Sequence, residues 1–290
     1  MTQPKFITDV MVLLEKHAAN QPLPEITDEL IEEFGEKAKD ILRKMQKGRE
    51  DKGFKLYFSN IGQDARKLWL EKEYGRVPMD SFTTFKMKYG DLIEQFLVTL
   101  LKAANVDVTD VDKDIQLMVG DTEIRGRMDL KVDGNIVDIK TASTYAYDTK
   151  FDSLKSMQAK DDFGYCSQGV GYMLADGSSK FSGWLVIDKV SGHFKFVDAM
   201  PLNTLPEIQK TLNDFEYKIN VINGVTPVPE CAGIVDEYYN RKATGRKTLS
   251  SSCNYCPHKS KCHPSLTYEP VAGSTAKEKP WRYYVNTDMC

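Results

Sequence analysis

The sequence predicts an α/β protein with helical and metal-bound additions. Three observations predict it. Apolar residues recur at helical spacing before residue 105, a strand-like alternation runs from Ile115 to Lys140 around Asp133-Gly134, and Cys253, Cys256 and Cys262 cluster near the C-terminal end. Helices, then strands, then a helix, two further strands and a last helix is the order of an α/β core.

In the charged stretch 5–50, Ile31, Phe34, Ala38, Ile41, Leu42 and Met45 keep helical spacing. Ser59 is placed to cap a helix through Ala65, Leu68 and Trp69 to about Tyr74. Pro78 breaks the chain, and Leu92, Ile93, Phe96, Leu97, Leu100 and Leu101 mark a long helix over 82–104. Strands are expected at Ile115–Val119, Glu123–Val132 and Ile136–Lys140, then helices at Ser153–Met157 and Asp161–Leu174. Strands at Phe181–Ile187 and His193–Asp198 flank Ser191-Gly192, and a helix spans Leu205–Ile222. A short helix over Ile234–Lys242 precedes the cysteines, and the last residues, with few periodic signals, read as a tail. The expected regions are therefore N-terminal helices (1–56), a core (57–230), a cysteine segment (231–265) and a tail (266–290).

A chain of 290 residues, 41% hydrophobic and 28% charged, supports one sizeable core, or one core and a small appendage. No apolar run approaches the ~20 residues of a membrane helix. The start Met1-Thr2-Gln3-Pro4-Lys5 lacks a signal-peptide layout, so a cytoplasmic location is expected. The net charge of −3 argues mildly against a nucleic-acid binder. Metal-binding carboxylates, with basic residues lining one groove only, would remove that objection. The basic clusters at Lys39–Lys55 and Arg241–Lys247 read by themselves as solvated faces. Six cysteines in a long chain without a secretory signal point away from a disulfide framework.

The most informative stretch is Arg127 to Thr141. Asp133-Gly134 is a two-residue hairpin signal, because both residues tolerate positive φ. With that loop, Val132 pairs with Asn135, and Asp129 lies across from Asp138 on one sheet face. Lys140, two residues on, shares that face. Two carboxylates and an amine among Leu130, Val132, Val137 and Ile139 suit a divalent cation, to which Ile139 offers its carbonyl.

Asp129, then Asp138-Ile139-Lys140-Thr141, resembles the PD-(D/E)XK nuclease signature, in its RecB-type branch with phage exonuclease relatives. The resemblance implies a restriction-endonuclease-like mixed sheet flanked by helices. It also implies an upstream acidic metal ligand on a helix, carried here to Glu94 in Gly90-Asp-Leu-Ile-Glu94, with Asp91 as the rival. Gln168-Gly-Val-Gly-Tyr172 matches the family's Gln-x-x-x-Tyr helix and implies DNA contacts by Gln168 and Tyr172. Gly169 and Gly171 are poor helix formers, which suggests close packing or close approach to DNA. Met128 stands where the signature has proline.

Cys253-Asn-Tyr-Cys256-Pro-His-Lys-Ser-Lys-Cys262 places three thiols within one metal's reach. Its Cys-x2-Cys-x5-Cys spacing resembles the C-terminal iron–sulfur staple of RecB-type nucleases. In those proteins a fourth cysteine lies upstream; the matching position here is Asp64, followed by Ala65 and Arg66. Asp64 as an oxygen ligand, His258, His263 or another cysteine as the fourth ligand, and no fourth protein ligand all stay open. A [4Fe–4S] cluster is the first reading and zinc the second.

The resemblance thus implies a DNA exonuclease of phage type that uses Mg²⁺ or Mn²⁺. Glu94, Asp129 and Asp138 would bind metal, and Lys140 would assist the attacking water. Ser59, Arg66 and Thr141 are further candidates at the DNA. The expected partner is DNA with free ends, in a host cytoplasm if phage-encoded, with a homo-oligomer or a recombination partner protein as additional expectations.

Overall fold

A computed structural model of the protein describes residues 3–47, 53–231, 233–239 and 241–285. Its elements begin with helices α1 (Lys5–Ala18), α2 (Asp28–Lys47), α3 (Phe58–Ile61), α4 (Ala65–Tyr74) and α5 (Ser81–Ala103). Strands β1 (Val108–Thr109), β2 (Lys113–Val119), β3 (Thr122–Met128), β4 (Leu130–Val132) and β5 (Asn135–Ala142) follow. Helices α6 (Thr144–Thr149), α7 (Leu154–Ala159) and α8 (Tyr165–Asp176) precede β6 (Phe181–Asp188) and β7 (Phe194–Asp198). A 3₁₀ turn (Met200–Asn203) leads into α9 (Leu205–Ile222). Strands β8 (Ile234–Tyr239) and β9 (Lys242–Leu249), helices α10 (Ser251–Asn254) and α11 (Lys259–Cys262), and strands β10 (Leu266–Pro270) and β11 (Trp281–Val285) complete the chain. No helix among the described residues is long and apolar enough to cross a membrane.

The chain divides into two compact units. The first comprises Met1–Gly62 and Pro78–Phe215, and the second Gln63–Val77 and Glu216–Cys290. The first unit is built on a five-stranded mixed sheet of order β1-β4-β5-β6-β7, flanked by helices, with β2 and β3 as a separate hairpin. Asp133 (φ 49°) and Gly134 (φ 72°) both take the left-handed conformation, which favours a primed two-residue turn. The turn sets the expected register, with Val132 opposite Asn135 and Leu130 opposite Val137. Next to β5 runs β6, and that pair is parallel.

On one sheet side a core joins Phe6, Ile7 and Val10 of α1 to Leu97, Val98 and Leu101 of α5, and to Leu130, Val132, Val137, Ile139 and Leu185. Helix α1, within the expected N-terminal helical region, therefore supplies part of this core. Gly90 lets α5 approach β5 closely: a Cβ there would meet Thr141 Oγ1 at 2.9 Å. Helix α8 is fixed along its whole length. At its start, Asp161 accepts from the amides of Tyr165 and Cys166, each at 2.8 Å. In its middle, Cβ atoms on Gly169 and Gly171 would collide with the rings of Phe181 and Phe58. At its end, Asp176 pairs with Lys113 (2.9 Å) and Lys131 (2.8 Å). Burial pushes the Asp176 carboxyl up, but the two lysines and Ser178 outweigh it and bring it down to about 2. The two glycines thus serve close packing, which offsets their poor helix propensity.

In the second unit, β8, β9, β10 and β11 form a four-stranded sheet of order β10-β11-β9-β8. The helix expected over Ile234–Lys242 is instead the β8–β9 hairpin. Ile234, Val235, Tyr238 and Tyr239 are β-branched or aromatic, and Arg241 takes φ 64° at the turn. The expected tail carries β10 and β11, which pair over Leu266↔Val285 to Pro270↔Trp281; residues 286–290, including Cys290, lie outside the described residues. Each strand alone is too short to show a period. Glu237 sits 2% exposed in this sheet, accepting from Tyr284 (2.6 Å) and Thr244 (2.8 Å). The cap of α4 is Asp64, which accepts from Lys67 N–H at 3.1 Å, not Ser59, which lies within α3.

Some residues of the basic clusters are paired with acidic neighbours. Lys39 and Arg43 pair with Glu36 and Asp40, Arg246 with Glu269, and Lys247 with Asp236. Residues 48–52 of the first cluster lie outside the described residues.

A carboxylate–lysine centre and a thiol–imidazole centre

The first centre lies at β5. Side chains alternate along a strand, so Asp138 and Lys140 share one face while Val137 and Ile139 enter the core beneath α1 and α5. Lys140 Nζ lies 2.6 Å from Asp138 Oδ2. Between the end of β3 at Met128 and the start of β4 at Leu130, Asp129 turns in to accept from Ile139 N–H at 2.7 Å. Glu94 arrives from α5, four residues beyond the close contact at Gly90. Asp91, its rival, pairs instead with Lys88 at 2.6 Å and is 44% exposed.

These groups act on one another through their charges. Burial, followed by the charges of Asp112, Asp138 and Asp91, raises Glu94 to about 7 against the pull of Lys140. Burial, then Asp138 and Glu94, raises Asp129 well above the carboxylate range. Burial also raises Asp138, against the opposing ammonium of Lys140. Burial works against the charge of Lys140, but Asp138 and Asp129 outweigh it and hold its pKa above the ordinary value. Asp138 is 1% exposed, and its Oδ1 is sealed from solvent without a hydrogen-bond donor. Three carboxylates that act on one another and on one lysine through their charges, with an orphaned oxygen among them, form a donor set short of positive charge, although their oxygens do not all lie within 4.8 Å of one another. It fits a hard divalent cation, which takes carboxylate oxygens and keeps several waters.

Helix α8 covers this face. Gln168 and Tyr172, both buried, are bonded to one another, Gln168 Nε2 donating to Tyr172 Oη at 2.7 Å. Burial and the charges of Asp138 and Asp129 raise the Tyr172 phenol, so it stays protonated beside the acids. Thr141 differs from expectation. Being odd-numbered on the strand, it turns to the other face, where its hydroxyl packs at Gly90. Tyr165 was missed: it holds Lys140 Nζ 5.0 Å from its ring centroid. It precedes Gln168 by three residues and Tyr172 by seven, so helical spacing from the Gln-x-x-x-Tyr motif would have found it. Asp112 was also missed. It sits in a turn with φ 56°, and no periodic pattern marks it.

The second centre lies in the second unit. Sγ of Cys231, Sγ of Cys253 and a ring nitrogen of His263 all lie within 4.8 Å of one another. Cys231 Sγ is 3.6 Å from Cys253 Sγ and 3.3 Å from His263 Nε2. All five described cysteines are free thiols. Of the expected ligands, Cys253 is in this group. Cys256 is buried nearby, and its amide donates to the Cys253 carbonyl at 3.0 Å. Cys262 Sγ accepts from Arg66 Nε at 3.2 Å, and Arg66 also donates to the Pro229 carbonyl at 3.0 Å. Arg66 therefore braces the cysteine segment. Asp64 is spent on capping α4, and Cys231 and His263 stand where a further ligand was sought. Gly233 makes this approach feasible, since a Cβ there would collide with Cys253 Sγ.

No family model matches the chain, and no curated protein matches it. A solved structure described as "Crystal structure of SSO0001" is similar at 18% identity with a TM-score of 0.44, covering 82% of this chain and 98% of that chain.

Proposed function

We propose that the protein is a divalent-cation-dependent DNA exonuclease of the PD-(D/E)XK superfamily, RecB-type, on a restriction-endonuclease-like core. The observation that carries this reading is Asp138, buried with Oδ1 unpartnered and paired with Lys140 at 2.6 Å, beside Asp129 and within the electrostatic reach of Glu94. Glu94, Asp129 and Asp138, with the Ile139 carbonyl, would hold Mg²⁺ or Mn²⁺. The chemistry such an ion supplies is activation of water and neutralisation of phosphate charge. Lys140 orients the attacking water and stabilises charge developing on the phosphate. Asp129 is fixed by the Ile139 amide and Lys140 by Asp138 and Tyr165, so the groups are held before substrate arrives. Tyr172, protonated and buttressed by Gln168, closes the site from the α8 side.

Digestion of end-labelled linear DNA beside covalently closed circles, with Mg²⁺ or Mn²⁺, tests the reading. Nucleotides should be released from the linear molecules alone. Cutting of closed circles would make the protein an endonuclease. No hydrolysis of either substrate with either ion would end the nuclease reading.

In the second unit, Cys231, Cys253 and His263, with Cys256 and Cys262 close by, would hold a structural metal centre. Two thiols and an imidazole suit zinc. The Cys-x2-Cys-x5-Cys spacing favours a [4Fe–4S] cluster. A brown protein absorbing near ~400 nm is the iron–sulfur outcome. A colourless protein with stoichiometric zinc is the alternative, and purified protein with neither metal would remove the centre.

A further inference from the structure

We propose that Lys150 is a second phosphate-binding residue of this site, seating the phosphodiester next to the one being cut. The proposal rests on the nuclease reading above and adds a substrate contact to it.

Lys150 caps the C-terminal end of α6 in helical conformation. The next residue, Phe151, is 3% exposed, and its amide donates back to the Ala146 carbonyl at 3.0 Å. The backbone at Lys150 is therefore fixed, and its side chain has a defined origin. Its ammonium lies 4.3 Å from the Tyr165 ring centroid and 4.9 Å from that of Phe163. Tyr165 is also the ring beneath Lys140 Nζ, at 5.0 Å. One tyrosine ring thus lies within 5.0 Å of two ammonium groups.

The two lysines differ in what they bind. Lys140 is bonded to Asp138. Lys150 forms no ion pair among the described residues. Asp161 and Asp162 act on it only through their fields, and Asp161 accepts from the amides of Tyr165 and Cys166. Burial lowers the Lys150 pKa, and the charge of Lys140 lowers it further. A half-buried cation beside a second cation, with no anion bonded to it, is electrostatically costly. Aromatic faces offset part of that cost. A diester phosphate, anionic at all working pH values, would offset the rest. A strand whose scissile phosphate meets Lys140 brings a neighbouring phosphate along its backbone, and Lys150, without an ion pair among the described residues, shares the Tyr165 ring with Lys140.

The bland alternative is a cation–π clamp that only fastens the α6 end to α8. Lys150→Met separates the two, because its straight apolar stem can stay on the rings while the charge is lost. With linear DNA and Mg²⁺, Lys150→Met should raise KM about tenfold, a loss of one good contact, with the change falling on KM rather than kcat. The dependence of log affinity on log salt should flatten by about one unit, as for one lost phosphate contact. Lys150→Arg should restore both. Wild-type KM and salt dependence in Lys150→Met would overturn the proposal, and so would a lowered thermal midpoint without any change in KM. If the wild-type protein itself releases no nucleotides, the proposal falls together with the nuclease reading. If the wild type cuts and Lys150→Met is indistinguishable from it, only the Lys150 assignment falls.

Discussion

Replacing Lys140 with alanine is expected to abolish DNA cleavage while DNA binding is retained. Loss of one preorganised charge-stabilising group commonly costs about 10²–10³ in rate, and here the same group also positions the water. The side chain is 18% exposed and bonded to Asp138 at 2.6 Å, so it meets substrate as a fixed ammonium rather than a mobile one. Its pKa is held up by Asp138 and Asp129 against the opposing effect of burial, so it stays charged throughout the working range. The check is a single-turnover rate on end-labelled DNA beside an equilibrium binding measurement. Cleavage at the wild-type rate would show that the carboxylates work without the amine and would sink the mechanism. Joint loss of binding and cleavage would mean that Lys140 is a DNA-anchoring residue rather than a catalytic one. Lys140 also neutralises part of the acid cluster. Its removal should therefore raise the pKa of Asp138 further, so that the variant takes up a proton as it loses the cation.

How far this centre was legible from sequence depends on which residues carried local information. Asp133-Gly134 fixed the hairpin through a conformational preference of two residues, and its register runs to Leu130↔Val137, one residue short of Asp129, whose side chain reaches β5 by accepting from Ile139 N–H. Glu94 could be chosen over Asp91 because apolar Ile93, Leu97, Leu100 and Leu101 flank its side of the helix, with Gly90 one turn earlier where backbone could pack closely. Lys150, by contrast, reaches the site from a helix end, through ring contacts between segments about fifteen residues apart, and nothing in its own neighbourhood announces this. Asp112 enters from a turn, for the same reason unseen. Thr141 lies on the face of Ile139, as the alternation of β5 assigns it. In the second unit, β10 and β11 make sense only as partners, each being too short to declare itself. Cys231 and His263 flank the recognised cysteine spacing from outside, and Gly233 brings the first of them close. Ser59 and Asp64 both carry capping side chains, and the choice between them turned on a two-helix break at Gly62 that periodicity alone did not show.

Asp138→Asn should separate activity from stability in opposite directions. Asp138 is buried beside two other carboxylates, with Oδ1 unpartnered, so the metal-free fold bears an unfavourable cluster there. An amide of the same shape removes one charge and supplies donors, so the metal-free variant should melt a few degrees higher than the wild type, about 1 kcal/mol or more of relief. Cleavage should be lost and the rise in melting temperature caused by Mg²⁺ should shrink or vanish, since a central ligand is gone. The pH dependence carries the sign. Glu94 has a folded-state pKa of about 7, above its ordinary value of 4.5. The folded protein therefore binds more protons than the unfolded chain between those values, and metal-free stability falls as pH rises through that window. Divalent cations compete with the same proton, so their stabilisation should grow over the same window and level off above about pH 7. In Asp138→Asn the field on Glu94 weakens, and the window should narrow from its upper end. Melting curves from pH 4.5 to 8, with and without Mg²⁺, read all of this at once. A metal-free wild type that gains stability across that range, or an Asn variant that melts lower and keeps its full response to Mg²⁺, would mean that the three acids are not a cation site.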